Sequence, residues 1–152
     1  MRLLVLGGTL FLGRHVVEAA LPRGHEVTLF TRGRTNAELF PEVERLHGDR
    51  DEDLRALEGR TWDAVVDPSG YVPRVVRASA ELLRGAAGHY TYVSSVSAYV
   101  DTDADRIDET YPTGEPPEGS EDVDAHYGPL KAASERAAHE GFGDPLLVVG
   151  PA

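Results

Sequence analysis

The chain has 152 residues, of which 41% are hydrophobic and 7% aromatic, so length and composition favour one domain with a sizeable core. It contains no cysteine, which excludes disulfide scaffolds, iron–sulfur clusters, cysteine zinc sites and cysteine nucleophiles. A net charge of −11 argues against nucleic-acid and anionic-membrane partners, and the short apolar runs predict a cytoplasmic protein without a signal peptide or a bilayer-spanning segment.

Strands and helices alternate along the first 95 residues of the sequence. Short apolar or β-branched runs predict six strands, at residues 2–6, 26–31, 43–47, 62–67, 89–94 and 145–149. Apolar residues at helical spacing predict helices at residues 11–21, 73–83 and 127–139, with a shorter helix at 51–57. The alternation predicts an α/β Rossmann fold, which is a doubly wound parallel sheet with helices on both faces and strand order 3-2-1-4-5-6.

A long acidic segment interrupts this alternation. Residues 101–126 carry ten acids and one base, and prolines and glycines cluster at residues 112–119. The segment lacks the acid-and-glycine spacing of a calcium loop, and the six histidines show no ligand-pair spacing with acids, so no metal site is predicted. We expect residues 100–125 to form a solvated surface loop.

Glycines cluster in the turn between the first predicted strand and the first predicted helix. A dinucleotide pyrophosphate needs backbone amides at a helix N-terminus and no side chains in its way. The predicted cofactor-binding residues of this turn are Gly7, Gly8, Thr9, Leu10, Phe11, Leu12 and Gly13. Gly7 allows the tight turn, and Gly13 allows close packing of the helix on the strand. The alternative interpretation is a glycine-rich turn that holds no ligand.

Arg32 and Arg34 follow the second predicted strand, whose end meets the adenosine ribose in a dinucleotide-binding fold. An acid at this place hydrogen-bonds a ribose 2′-hydroxyl, whereas an arginine can pair with a 2′-phosphate. Because no acid lies between Thr28 and Ala37, the sequence predicts NADP as the cofactor, with NAD as the alternative. A solvated basic turn is the interpretation without a ligand.

Tyr127 and Lys131 lie four residues apart, which places them on one face of the last predicted helix. Lys131 is the one lysine of the chain, against fourteen arginines. A phenol with a pKa of about 10 is a poor base at neutral pH, and lowering that pKa by about three units requires about 4 kcal/mol of selective phenolate stabilisation. A neighbouring ammonium and a positively charged nicotinamide ring can supply it. The pair therefore predicts a general acid/base, Tyr127, assisted by Lys131.

A serine-rich run, residues 94–99, ends the fifth predicted strand. It resembles the S-S-x-x-x-Y run of extended short-chain dehydrogenases/reductases, in which the serine four residues before the tyrosine hydrogen-bonds the substrate carbonyl. That serine is Ser95 here, with Ser94 and Ser97 as alternatives. The glycine turn has the form GGT-x-F-x-G, with Leu10 where the G-x-x-G-x-x-G form has a glycine. It resembles a variant common in extended and atypical branches of that superfamily, including isoflavone-reductase-like proteins and chloroplast stem-loop-binding relatives.

The glycine turn, the arginines, the serine and the Y-x-x-x-K pair occur in the order that this superfamily shows. The chain is similar to the N-terminal cofactor-binding part of the NAD-dependent epimerase/dehydratase family, and the resemblance covers nearly all of it. By this resemblance, Asp49 is expected near the adenine amino group, and Ser69 and Gly70 lie where the cofactor passes. Ser95 is expected to orient a carbonyl, and Lys131 to hold the ribose.

The resemblance implies an NADP-dependent oxidoreductase or epimerase/dehydratase-type enzyme that moves a hydride between nicotinamide and a carbonyl or alcohol carbon. Its substrate is expected to be a small carbonyl compound or a nucleotide sugar. Residues 1–152 then form one NAD(P)-binding domain, and the C-terminal substrate domain of the family is absent. One alternative is a catalytically incomplete NAD(P)-binding module or truncated fragment with a sensing or scaffold role. A nucleic-acid-binding relative is another, which the charge of −11 opposes.

The last predicted strand, residues 145–149, is expected to form an edge of the sheet. Its apolar residues would then be exposed, and exposed edges and apolar patches invite pairing. We therefore expect a dimer or an association-prone monomer, with a small-molecule substrate and with neither nucleic acid nor membrane as a partner.

Overall fold

A computed structural model describes residues 1–104 and 106–151. Within those residues the strands are β1 (Arg2–Leu6), β2 (Glu26–Thr31), β3 (Glu44–His47), β4 (Ala64–Asp67), β5 (Tyr90–Val93) and β6 (Leu146–Val149). The helices are α1 (Phe11–Ala20), α2 (Pro73–Leu83) and α3 (Val123–Phe142). The strands pair in parallel in the order β3-β2-β1-β4-β5-β6, which confirms the predicted α/β Rossmann topology.

The sheet separates two apolar cores. Leu4 and Leu6 of β1 belong to the core that α2 and α3 cover, whereas Leu3 and Val5 belong to the core that α1 covers. This division follows from the alternation of side chains along a strand. Because both faces of β1 are buried, its sequence is a continuous apolar run rather than an alternating one.

The helix α1 ends at Ala20, one residue before its predicted end at residue 21. A single 3-10 turn, Leu21–Arg23, follows it, and the chain then turns at Gly24, whose φ is 73°. Glycine adopts this left-handed conformation without the steric cost that a Cβ brings, which is why it ends helices so often.

The helix α3 begins four residues earlier than predicted, and it contains a kink. The Asp122 carboxylate accepts a hydrogen bond from the Ala125 backbone N–H at 3.0 Å and so caps a first, short turn. His126 then leaves the helical conformation, with φ −133° and ψ 34°. Pro129 has no N–H to donate to Ala125, so the helical hydrogen-bond ladder cannot run unbroken through this point. Tyr127 consequently opens the regular part of α3.

The prediction of a helix at residues 51–57 is wrong, since only a 3-10 turn forms there, Arg55–Leu57. Side chains take the backbone hydrogen bonds that a helix would need. Asp49 accepts from the Asp51 N–H at 3.1 Å, and Asp53 accepts from the Arg55 N–H at 3.1 Å. Such local turns compete with helix formation.

The strand β6 forms one edge of the sheet, as predicted. Leu146 and Val148 pack against the core that α2 and α3 cover, whereas Leu147 and Val149 point to the other face and are 50% and 42% exposed. This confirms the expected exposed apolar edge. Pairing of that edge with a second chain stays a prediction.

The acidic segment is an irregular loop in its described residues, 100–104 and 106–122, as predicted; Asp105 lies outside the described part. Residues 114 and 115 of this loop are hydrogen-bonded to the rest of the domain. Gly114 N–H donates to Ala98 O at 2.8 Å, and Arg136 of α3 donates to Glu115 at 2.6 Å. Across residues 1–104 and 106–151, no helix combines the length and the apolar character that crossing a membrane would require.

Candidate functional site

A cavity of about 570 Å³ opens at the carboxyl-terminal edge of the sheet. It lies at the ends of β1 and β4, which are neighbours in the sheet. After β1 the chain continues to β2 on one side, and after β4 it continues to β5 on the other side. Loops that diverge in this way leave a crevice, which is where open α/β sheets bind ligands. The predicted site residues that line it are Gly7, Gly8, Thr9, Leu10, Phe11, Leu12, Gly13, Arg32, Arg34, Asp49, Ser69, Tyr127 and Lys131.

The glycines between β1 and α1 let the helix approach the sheet closely. Gly8 has a φ of 96°, and a Cβ there would lie 2.7 Å from the Leu29 side chain. A Cβ on Gly13 would lie 2.9 Å from the Gly8 Cα. The contact at Gly13 is with backbone and cannot be relieved by a side-chain rotation, and the positive φ of Gly8 strains any residue with a Cβ, so the turn favours glycine at both positions.

Leu10 occupies the position where the G-x-x-G-x-x-G form has a glycine, and the local geometry explains why a side chain is accepted. Its backbone is extended, with φ −120° and ψ 153°, and the residue is 63% exposed. Among the described residues, no side chain caps the amino end of α1. Its first-turn N–H groups therefore face the cavity as donors at the positive end of the helix dipole, which suits an anion.

The two arginines after β2 reach the cavity with their charges largely available. The nearest acid to Arg32 is Asp49, with 3.9 Å between Arg32 Nη1 and Asp49 Oδ2, and both side chains are solvent-accessible. An ion pair of this length in water contributes little binding energy. Arg32 and Arg34 can therefore pair with an anionic group that enters this end of the cavity.

Lys131 is almost completely buried, at 2% exposure, yet it borders the cavity. Its Nζ donates to the main-chain oxygens of Gly70 at 2.7 Å and Val93 at 2.6 Å, so it joins the turns after β4 and β5. Burial lowers the pKa of Lys131 to about 8, although the negative charges of Asp67 and Glu135 oppose that shift. An ammonium has three donors, and two are used here, which leaves one for a ligand.

Tyr127 lies at the mouth of the same cavity, partly exposed, with its ring centroid 6.2 Å from that of Tyr71. Gly128 fixes this position, because a Cβ there would overlap the Ser97 carbonyl. The predicted pair thus faces one cavity. The hydrogen bonds that Lys131 makes to described residues run to main-chain oxygens rather than to the Tyr127 hydroxyl.

Ser95 and Gly70, the other predicted site residues, lie outside the cavity lining of the described part. Ser95 Oγ caps a 3-10 turn by accepting from the Ser97 N–H at 3.2 Å. The serine that lines the cavity is Ser94, a buried alternative whose hydroxyl donates to Glu135. The role of Ser95 with a substrate carbonyl stays a prediction.

A buried ion pair beside the cavity was not foreseen from the sequence. Arg50, after β3, donates to both carboxylate oxygens of Asp67, the last residue of β4, at 2.7 and 2.8 Å. Burial acts to lower the pKa of Arg50, but the Asp67 carboxylate, together with Tyr90 and Tyr92, makes the net shift upward. One signal was available, since an acid that ends a buried strand needs a partner, but the sequence does not identify that partner.

Comparisons with known proteins support this fold. No family model matches the chain. The chloroplast stem-loop binding protein of 41 kDa b from Arabidopsis thaliana is 30% identical, with 67% of this chain and 31% of that protein covered. The Bordetella bronchiseptica enzyme WbmG, solved with NAD, superposes with a TM-score of 0.80 at 20% identity over 99% of this chain and 52% of WbmG. A Bacillus cereus UDP-glucuronic acid 4-epimerase, also solved with NAD, gives a TM-score of 0.74 at 16% identity over 99% of this chain and 56% of the epimerase.

The chain spans about half the length of these solved structures and about a third of the chloroplast protein. Within that span it shares the fold of the two solved structures, and it carries a glycine turn after β1 and a Y-x-x-x-K pair on α3. By fold, the chain is similar to these NAD-containing structures, and by sequence it is similar to the chloroplast stem-loop binding protein.

Proposed function

We propose that this chain holds the nicotinamide dinucleotide of an oxidoreductase or epimerase/dehydratase-type enzyme, with NADP preferred over NAD. One observation carries the proposal: a single cavity collects the glycine turn, the two arginines after β2 and the Tyr127–Lys131 pair. Its volume of about 570 Å³ is in the range usual for small-molecule and cofactor sites. Two solved structures of the same fold contain NAD, which supports a dinucleotide in general.

The residues present fit such a cofactor. The uncapped N–H groups that follow Gly8 suit a diphosphate, and the extended backbone at Leu10 keeps its side chain from closing the turn. Asp49 and Arg32 border the end of the cavity that adenosine would occupy, and Lys131 keeps one N–H for a ribose hydroxyl. When bound, the nicotinamide ring supplies a hydride acceptor or donor.

The preference for NADP rests on Arg32 and Arg34. Both border the cavity, and the nearest acid, Asp49, is too distant to neutralise Arg32 strongly. We expect NADPH to bind at least about tenfold more tightly than NADH, since a charge-assisted pair with a 2′-phosphate is worth about 1.5–3 kcal/mol. Replacing both arginines by alanine should remove this preference. Equal affinity of the unaltered chain for the two cofactors would contradict the assignment.

The proposed chemistry is proton transfer at the Tyr127 hydroxyl. The Tyr127 hydroxyl and the buried ammonium of Lys131 border the same cavity, and Tyr127 is proposed as the general acid/base toward a carbonyl or alcohol carbon. Ser95 is proposed to orient the carbonyl, with Ser94 as the alternative that its place in the cavity supports. The substrate class is a small carbonyl compound or a nucleotide sugar; the UDP-glucuronic acid and UDP-galactose 4-epimerases, which have the same fold, support it.

The catalytic assignment is tested by substitution of Tyr127. Tyr127→Phe should abolish turnover of a nucleotide-sugar panel while the Kd for NADPH stays within about twofold, because the lost hydroxyl serves the chemical step. Tyr111→Phe is the matched control, since Tyr111 packs against Tyr99 in the acidic segment. Full turnover by the Tyr127 variant would contradict the role.

A cofactor-holding module without turnover is the second candidate. Two observations favour it: Ser95 lies outside the cavity lining, and Lys131 is hydrogen-bonded to main-chain oxygens rather than to Tyr127. Tight NADPH binding without turnover of any carbonyl or nucleotide-sugar substrate would identify this function.

A further inference from the structure

We propose that Arg50 is a positioning residue of the dinucleotide cavity: it neutralises the buried carboxylate of Asp67 and so holds Ser69 against the glycine turn. The inference rests on the proposed function, because it assumes that the cavity receives an anionic dinucleotide. It adds a condition that none of the sequence motifs states: the buried groups next to the glycine turn must carry no net charge if a diphosphate is to bind there.

The ion pair is buried and fully hydrogen-bonded at its acidic end. Asp67 has no exposed surface, and the Arg50 side chain is 11% exposed. Besides the two guanidinium bonds, the carboxylate accepts the Tyr90 hydroxyl at 2.9 Å and the Ser69 N–H at 3.2 Å. Arg50 Nε also donates to Ser79 Oγ of α2 at 3.1 Å. Removing one partner of such a pair leaves the other charge uncompensated in the interior.

The pair is connected to the glycine turn through Ser69. Ser69 Oγ donates to the carbonyl of Leu6, the last residue of β1, at 2.6 Å. Arg50 Nη1 in turn donates to Ser69 Oγ at 3.4 Å. Ser69 Oγ would also lie 3.3 Å from a Cβ on Gly7, so the serine rests directly against the turn. Arg50 thereby links the turns that follow β1, β3 and β4, which are three walls of the cavity.

Charge as well as position follows from this arrangement. With Arg50 in place, the charges of the guanidinium and the Asp67 carboxylate cancel. Without Arg50, an unpaired carboxylate would lie below a turn that presents N–H donors to an anion. Repulsion would then weaken the binding of an anionic ligand more than the binding of a neutral one. Without the Asp67 carboxylate, the guanidinium would keep a free positive charge at the cavity, and the bias would have the opposite sign.

The test compares NADPH with adenosine, a neutral ligand for the adenosine end of the same cavity. Arg50→Met should weaken NADPH binding at least about tenfold more than adenosine binding, whereas Asp67→Asn should raise the affinity for NADPH relative to that for adenosine. Arg84→Met is the matched control, because Arg84 also joins two elements, through the Phe142 and Glu140 carbonyls, but lies away from the cavity.

Thermal unfolding is recorded for each variant, and affinities are measured on folded protein. If the pair has a purely structural role, each of the two variants, Arg50→Met and Asp67→Asn, should lower the affinities for NADPH and for adenosine by the same factor. That result would overturn the inference. If Arg50→Met does not fold, Asp67→Asn decides alone: a rise in the NADPH-to-adenosine affinity ratio supports the role of charge, and a ratio that stays equal or falls contradicts it. If the unaltered chain binds neither ligand, the proposed function fails rather than the assignment of Arg50.

Discussion

Replacing Lys131 by methionine keeps much of the side-chain volume but removes the buried ammonium. That ammonium has lost nearly all of its hydration, since the residue is 2% exposed, and two main-chain oxygens replace part of it. The pKa of Lys131 falls from its usual 10.5 to about 8. At about 1.36 kcal/mol for each unit, the folded state holds the charged form at a cost of about 3 kcal/mol.

The sign of the pH dependence follows from proton binding. Between pH 8 and 10.5 the unfolded chain still binds a proton at Lys131, whereas the folded chain has released it. The free energy of unfolding therefore gains a contribution that rises with pH across this window, and below pH 8 the full cost of the buried charge is present. Lys131→Met has no such contribution.

The assay is urea unfolding of both proteins at pH 7 and at pH 10, each with its own m-value. Because buried tyrosines such as Tyr90 titrate in both proteins, the difference between the proteins isolates Lys131. We expect the unaltered chain to gain about 2–3 kcal/mol relative to Lys131→Met between the two pH values. A difference that stays constant within about 0.5 kcal/mol would refute the view that this lysine is a desolvated cation.

Four further substitutions have defined outcomes. Gly8→Ala places a Cβ 2.7 Å from the Leu29 side chain at a φ of 96°. We expect a loss of about 2 kcal/mol in the free energy of unfolding, measured in urea. A loss below about 0.5 kcal/mol would contradict the need for glycine at this position. Leu10→Gly should leave the NADPH Kd within about twofold, because Leu10 is already extended and exposed; a clear gain in affinity would show that the side chain obstructs the turn. Ser94→Ala should lower the free energy of unfolding by about 1–2 kcal/mol, since Glu135 loses a hydrogen-bond donor. Ser95→Ala, which removes the cap of a 3-10 turn, should lower it by less than about 1 kcal/mol. A larger loss for Ser95→Ala than for Ser94→Ala would contradict these hydrogen-bond assignments.

Much of the fold could be predicted because its strands are marked by local composition. The bounds of β1 and β2 were predicted to the residue, since β1 is an apolar run that ends at Gly7 and β2 is rich in β-branched and aromatic residues. The start of α3 was not, because Asp122 begins that helix through a side-chain cap while the kink at His126 interrupts the apolar spacing. The failed helix at residues 51–57 has a related cause, since aspartate side chains there bind backbone N–H groups that periodicity does not reveal.

Convergence of the candidate site could also be predicted, since parallel strands end at one edge of the sheet. This brought the glycine turn, Arg32 and Lys131 to one cavity. The Arg50–Asp67 pair could not be predicted, because it joins the ends of two strands that are not neighbours in the sheet and no sequence period links them. The choice between Ser94 and Ser95 depends on a single residue at the end of β5, and adjacent side chains point to opposite faces there.

The most direct test of the account is titration of the folded chain with NADPH, followed by calorimetry and by the nicotinamide fluorescence. The account predicts saturable binding of one NADPH per chain, abolished by Gly13→Val, whose side chain would meet the Gly8 backbone at the base of the turn. Circular dichroism of that variant shows whether it remains folded. Absence of NADPH binding to the unaltered, folded chain, or binding that Gly13→Val leaves intact, would contradict the account.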